Sequence, residues 1–277
     1  MIKDILVKLE RDQSRDGVVD LALSVAAAFE AHVTALAFAH SGIPGFLFAE
    51  VPSDVLQKII SESASSARAA IARFEEATKN VVPSIEHRLV MESDVGPPEV
   101  FSTTARRFDL SVVMQSNPEG NAFNDLMIEA ALFEAGRPVI VVPYIHKGGL
   151  ALDRIVCCWD GSRAAARAIN DALPLLKKAR AVELLIVGDA GKVTDDGPRG
   201  VEIGRHLARH GLKVEIEIIP AVADMNVADV ILSHAADSGA NLLVMGGYGH
   251  ARWREVMLGG VTRSLLSSMT VPVLMSH

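Results

Sequence analysis

The chain has 277 residues, 49% of them hydrophobic and only 5% aromatic, with a formal net charge of −7. That length holds one large domain or two small ones, the apolar content excludes a disordered chain, and the dispersed acidic excess speaks against a nucleic-acid partner. No apolar run approaches the roughly 18 residues of a membrane span, and Met1-Ile2-Lys3-Asp4-Ile5-Leu6-Val7 is too short and too acidic for a signal peptide, so a cytoplasmic location is expected.

In chain order, Asp4 to Val7 reads as a first strand and Gly17 to Phe29 as a helix, with Ala and Leu at helical spacing. Val33 to Phe38 is a second strand. The stretch from Ser41 to Phe48 is apolar for a loop: it is either a lid or interface patch carried by Phe46 and Phe48, or it tucks under its own helix. A long helix spans Ser53 to Asn80, followed by a strand from His87 to Met91 and a helix from Pro98 to Arg107. Asp109 to Met114 is the fourth strand, and Arg137 to Val142 is a Pro-centred closing strand. Ile145 to Leu150, with Gly148 and Gly149, permits a linker.

The same order then repeats. Asp153 to Cys157 is a strand, Ser162 to Lys178 a helix and Val182 to Val187 a strand. A more polar excursion, Gly188 to Gly200, leads to a helix from Val201 to His210. Val214 to Ile219, Val227 to Ser238 and Asn241 to Met245 read as strand, helix and strand, and Val271 to Met275 is the closing strand of the second repeat. Strands alternating with helices need crossover connections, hence a mainly parallel sheet with right-handed crossovers. The fold class is therefore α/β, with two doubly wound five-stranded parallel-sheet domains, residues 1–147 and 151–277. Ligands of such sheets sit beyond the strand C-termini, near the switch point. The two Pro-centred closing strands, 138–142 and 272–275, are candidates for pairing the halves edge to edge, and further dimerisation of the chain is open.

Cys157 and Cys158 are adjacent, so on a strand they point to opposite faces and read as small buried hydrophobes. The nine histidines are scattered; His206, His210 and His234 read as solvated on helix surfaces, and no metal is expected.

The run Gly246-Gly247-Tyr248-Gly249 follows an apolar strand, and Gly259-Gly260-Val261-Thr262 precedes the last helix. A loop stripped of side chains at the end of a parallel strand lets backbone N–H groups approach an anion, and the phosphate chain of a nucleotide is the obvious one. His250, Arg252 and Arg254 in the intervening loop either neutralise phosphate or are simply solvated, and Trp253 reads as packing that loop down.

These residues carry a resemblance. Gly246, Gly249 and Gly259, with nine residues between the last two, fit G-x2-G-x9-G-(S/T), and the opening strand runs into Asp160-Gly161-Ser162. Residues 151–277 thus resemble the nucleotide-binding type of universal stress protein domain, and the chain looks like a tandem member of that family. The resemblance implies a Rossmann-like, adenine nucleotide alpha hydrolase-like fold, strand order 3-2-1-4-5, with the two halves forming a pseudo-dimer. It implies ATP as ligand, with ADP or AMP as alternatives, with or without Mg2+. Asp160 would contact the adenosine part, with Trp159 and Val187 flanking the base. Met245, Gly246, Gly249 and His250 would line the phosphate loop, and Gly259, Gly260, Val261 and Thr262 the start of the last helix. Such proteins act as stress-response regulators or tolerance factors, with an unidentified protein partner. One position departs from the pattern: Gly260 stands where the family has Ser or Thr, which loses a hydroxyl donor.

The first half departs further. After its fourth strand comes Gln115-Ser116-Asn117-Pro118-Glu119-Gly120; Pro118 lacks an N–H and Glu119 would repel phosphate. Glu10 stands in the place of Asp160, and the last helix of this half, which no glycine pair opens, carries Asp125 and Glu129 instead. The first half is expected not to bind a nucleotide in the family manner. An enzyme reading, a weak ATPase or phosphotransferase, lacks a placed catalytic lysine or base. A flavin module lacks a recognisable site, and a scaffold whose glycines only make turns is the remaining alternative.

Overall fold

The computed structural model describes residues 1–11, 16–43, 50–79, 84–91, 95–117, 123–188, 200–220, 226–247 and 260–277. By their contacts these fall into two compact units. One holds residues 1–116, 120–137 and 147–149; the other holds 117–119, 138–146 and 150–277.

The first unit contains β1 (Asp4–Lys8), α1 (Gly17–Phe29), β2 (His32–Ala39), α2 (Ser53–Thr78), β3 (Ile85–Met91), α3 (Pro97–Ala105), β4 (Leu110–Met114) and α4 (Phe123–Phe133). Its strands are ordered β3-β2-β1-β4 and all parallel, with Val7 opposite Ala35 on one side and Val112 on the other. Helix α1 starts where Asp16 accepts the Val18 N–H and stops at Glu30, which turns into the left-handed region.

The second unit contains β5 (Val139–Val142), β6 (Arg154–Cys158), α5 (Arg163–Leu176), β7 (Ala181–Val187), α6 (Val201–Arg209), β8 (Val214–Ile219), α7 (Val227–Ser238), β9 (Leu242–Gly246), α8 (Gly260–Ser268) and β10 (Val273–Ser276). Strands β10-β9-β6-β7-β8 are parallel neighbours, so its own strands follow the order 3-2-1-4-5. Strand β5, the closing strand of the first repeat, counts with this unit. It runs antiparallel to β10, Val141 opposite Val273 and Val139 opposite Met275. The two closing strands therefore do pair, and every residue of both is buried.

Burial explains the patterns. Strands β1, β4, β6 and β9 read as near-continuous apolar runs because helices cover both faces of a parallel sheet. Strands β3 and β8, IEHRLVM and VEIEII, alternate in polarity and are largely exposed, with Ile85, Met91 and Ile216 open to solvent. Among the described residues no helix is long and apolar enough to cross a membrane.

Candidate functional site

In the second unit, β6 and β9 are neighbours, with Cys157 opposite Val244. Three residues on from that pair, Asp160 follows the end of β6 and Gly247 the end of β9. From here the strand order runs outward in both directions, to β7 and β8 on one side and to β10 on the other. This is the switch point where an open α/β sheet forms its crevice.

The Trp159 N–H donates to Leu185 O at 2.8 Å, which extends the ladder one step beyond β6, and its side chain is half-buried. Asp160 is exposed, and its Oδ1 accepts the Ser162 N–H at 2.8 Å. Gly161 sits at φ +81°, a conformation that favours glycine. The Ser162 hydroxyl then accepts the Ala165 N–H at 3.1 Å and caps α5. Asp160-Gly161-Ser162 is thus a tight turn into a capped helix that leaves the carboxylate at the mouth of the crevice. Val187 ends β7 opposite Ile219, on the far side of β6 from β9.

On β9, Met245 is buried and Gly246 packs against α5. A Cβ at Gly246 would lie 2.4 Å from Ala165 N and 2.6 Å from the Ala164 carbonyl carbon. The first glycine of the motif is thus required by the close approach of helix and strand, a cause that the glycine spacing alone does not reveal. Gly247 donates its N–H to Ser276 O at 2.8 Å, and its carbonyl accepts from His277 Nδ1 at 2.9 Å. Gly260 opens α8 and is exposed, with nothing within 4 Å of a Cβ; Val261 is exposed and Thr262 buried. Helix α8 is tied to α7 by the Asn226 side-chain amide, which donates to Ser264 Oγ at 3.0 Å. Gly249, His250 and Gly259, with Arg252, Trp253 and Arg254, lie outside the described residues, as do Phe46 and Phe48.

Burial, then Asp160 and Glu183, push the Cys158 thiol up to about 12, and burial pushes Cys157 higher still. Both thiols stay protonated at neutral pH and offer no nucleophile. Among the described residues no group of three His, Cys, Asp or Glu is placed to hold a metal ion.

One reading of the histidines needs correction. His234 on α7 is not simply solvated: its Nε2 pairs with Glu183, a buried carboxylate on β7 that also takes Arg154 Nη1 at 2.8 Å. His206 and His210 are exposed as expected, and their rings lie with centroids 4.7 Å apart because they are one helical turn apart. Sequence reasoning also missed Ser276, whose hydroxyl donates to Asp171 Oδ2 at 2.9 Å beside the crevice. No motif announced it.

Residues 151–277 match the model of the universal stress protein family. These residues form a universal stress protein domain. Universal stress protein YxiE of Bacillus subtilis is 29% identical over 143 residues, which cover 44% of this chain and 97% of that protein. Universal stress protein Slr1230 of Synechocystis is 28% identical over 141 residues, 50% of this chain and 46% of that one. Over nearly the whole chain, the crystal structure of a universal stress protein from Archaeoglobus fulgidus superposes with a TM-score of 0.67. It is 18% identical and the match covers 98% of this chain and 94% of that one. At that identity the likeness speaks for the fold, and it extends the fold match across both repeats.

Proposed function

We propose that the universal stress protein domain binds an adenine nucleotide, ATP foremost, at the C-terminal ends of β6 and β9. Through that site the chain would act as a stress-response regulator or tolerance factor rather than as a turnover enzyme. The observation that supports this reading is that neighbouring strands β6 and β9 run out at the switch point into Asp160 and into Gly246-Gly247. The described residues suit the ligand. Asp160 is exposed with one oxygen engaged by the Ser162 N–H, leaving acceptor capacity for a ribose hydroxyl or an exocyclic amine. Helix α8 opens on exposed Gly260 and Val261, and Gly260 leaves open space beside it, as a phosphate approaching helix N–H groups needs. Mg2+ would arrive with the triphosphate.

A second reading, a scaffold without nucleotide, is favoured by one finding: packing against α5 already accounts for Gly246. Calorimetric titration of ATP, ADP and AMP into the purified chain separates the two. One site per chain, lost in Asp160→Ala with the fold intact, supports the nucleotide site. No binding by the unaltered protein, or equal binding by Asp160→Ala, refutes it.

A further inference from the structure

The first unit has its own switch point, and it is not empty. Strands β1 and β4 are neighbours there, Val7 opposite Val112, as Cys157 faces Val244 in the second unit. By that correspondence Lys8 stands where Cys158 does, and Glu10 where Asp160 does. Lys8 is a charged residue only 5% exposed.

Its ammonium group meets three neighbours. Nζ donates to Glu10 Oε1 at 2.6 Å and to Asn124 Oδ1 at 2.8 Å, and lies 5.2 Å from the centroid of the Phe123 ring. A carboxylate, an amide oxygen and an aromatic face are the groups from which receptors for alkylammonium ions are built. Each wall is held by a further element. The Glu10 backbone is fixed at both ends, its N–H donating to Asp16 Oδ2 at 3.0 Å and its carbonyl accepting from Arg73 Nη2 at 3.0 Å. Phe123 stacks on His40, centroids 4.1 Å apart. Asn124 donates its amide to Gln115 O at 3.5 Å. Burial, then Arg11 and Lys8, lower His40 to about 4, so the imidazole is a neutral wall and not a competing cation.

We propose that the ligand crevice of the first unit is an ammonium-binding cage whose occupant is the chain's own Lys8. The first repeat is then not a copy that has merely lost its glycines. It is a copy that carries its ligand covalently, and the recognition chemistry there is for a primary amine. This inference stands apart from the nucleotide reading of the second unit.

The test removes the tether and supplies the occupant. Lys8→Ala deletes the atoms of n-propylammonium and leaves Glu10, Asn124 and Phe123 in place. The expected result is a loss of thermal stability that n-propylammonium restores, with a rise in Tm that grows with the logarithm of amine concentration. Neutral n-propanol should not restore it, the unaltered protein should not respond, and Lys8→Ala combined with Glu10→Gln should lose the response. If Lys8→Ala does not fold alone, recovery on refolding with and without the amine reads the same cage. Absence of rescue, rescue by n-propanol as well as by the amine, or an equal response in the double variant overturns the proposal.

Discussion

Substituting Gly246→Ala tests the cause assigned to the first motif glycine. The new Cβ would sit 2.4 Å from Ala165 N, 2.6 Å from the Ala164 carbonyl carbon and 2.8 Å from Ala164 Cβ. All three belong to the first turn of α5, and two are backbone atoms, so no side-chain rotation relieves the clash. Restoring ordinary contact means moving strand and helix apart by about 1 Å. Helix α5 buries Ala168, Ile169, Ala172, Leu175 and Leu176, so that shift loosens a whole packed face. Overpacking of this kind costs about 3 kcal/mol, the upper end of its usual range. For a unit of this size that lowers Tm by roughly 10 °C. Thermal unfolding followed by circular dichroism, without nucleotide, measures it, with Gly260→Ala as the control because nothing lies within 4 Å of a Cβ there. A Gly246→Ala protein that melts with the unaltered one would refute the packing account and return Gly246 to the ligand.

Two further outcomes follow from buried acids. Burial raises Asp16 from 3.8 to about 6, against the opposing N–H groups of Glu10 and Val18. A carboxyl raised on folding stabilises fully below its unfolded value, and the benefit is lost as pH rises through 6. Relative to Asp16→Asn, which keeps the helix cap, the unaltered protein should therefore lose up to about 3 kcal/mol between roughly pH 4 and pH 7. Urea midpoints across that range check it, and parallel curves would sink it. Glu183→Ala leaves Arg154 with Glu215 at 3.6 Å, whose side chain is largely exposed, and leaves His234 unpaired. Chemical denaturation should show a loss of about 3 kcal/mol, the size expected when one partner of a buried pair is removed. A loss below about 1 kcal/mol would mean that water already screens the cluster.

Much of the fold is legible because burial on both faces writes an unbroken apolar run. Helix starts are legible for a local reason as well: Asp16, Ser162 and Asn226 each accept the N–H two or three residues on. The pairing of β5 with β10 is legible from two closing strands too apolar to be left as edges. The cages and clusters are not. Lys8 reads as the polar end of a strand, and nothing near it in sequence points to Asn124. Likewise His234 looks like a surface residue until α7 is laid over Glu183. At the candidate site the glycine spacing is visible from the chain, yet the reason for Gly246 lies in a helix some eighty residues away.

The β5–β10 ladder also bears on how the chain is made. Val141 leaves the ribosome well before Val273, its partner across the ladder. A fully apolar strand must therefore wait for the closing strand of the second repeat before its edge is satisfied, and long-range closure of that kind is slow. During that interval the strand is an open template for any other unpaired edge, including that of a neighbouring nascent chain. Cutting the chain at the linker would make the problem permanent: residues 151–277 alone would carry β10 with one side bare, and self-association through it is the expected result.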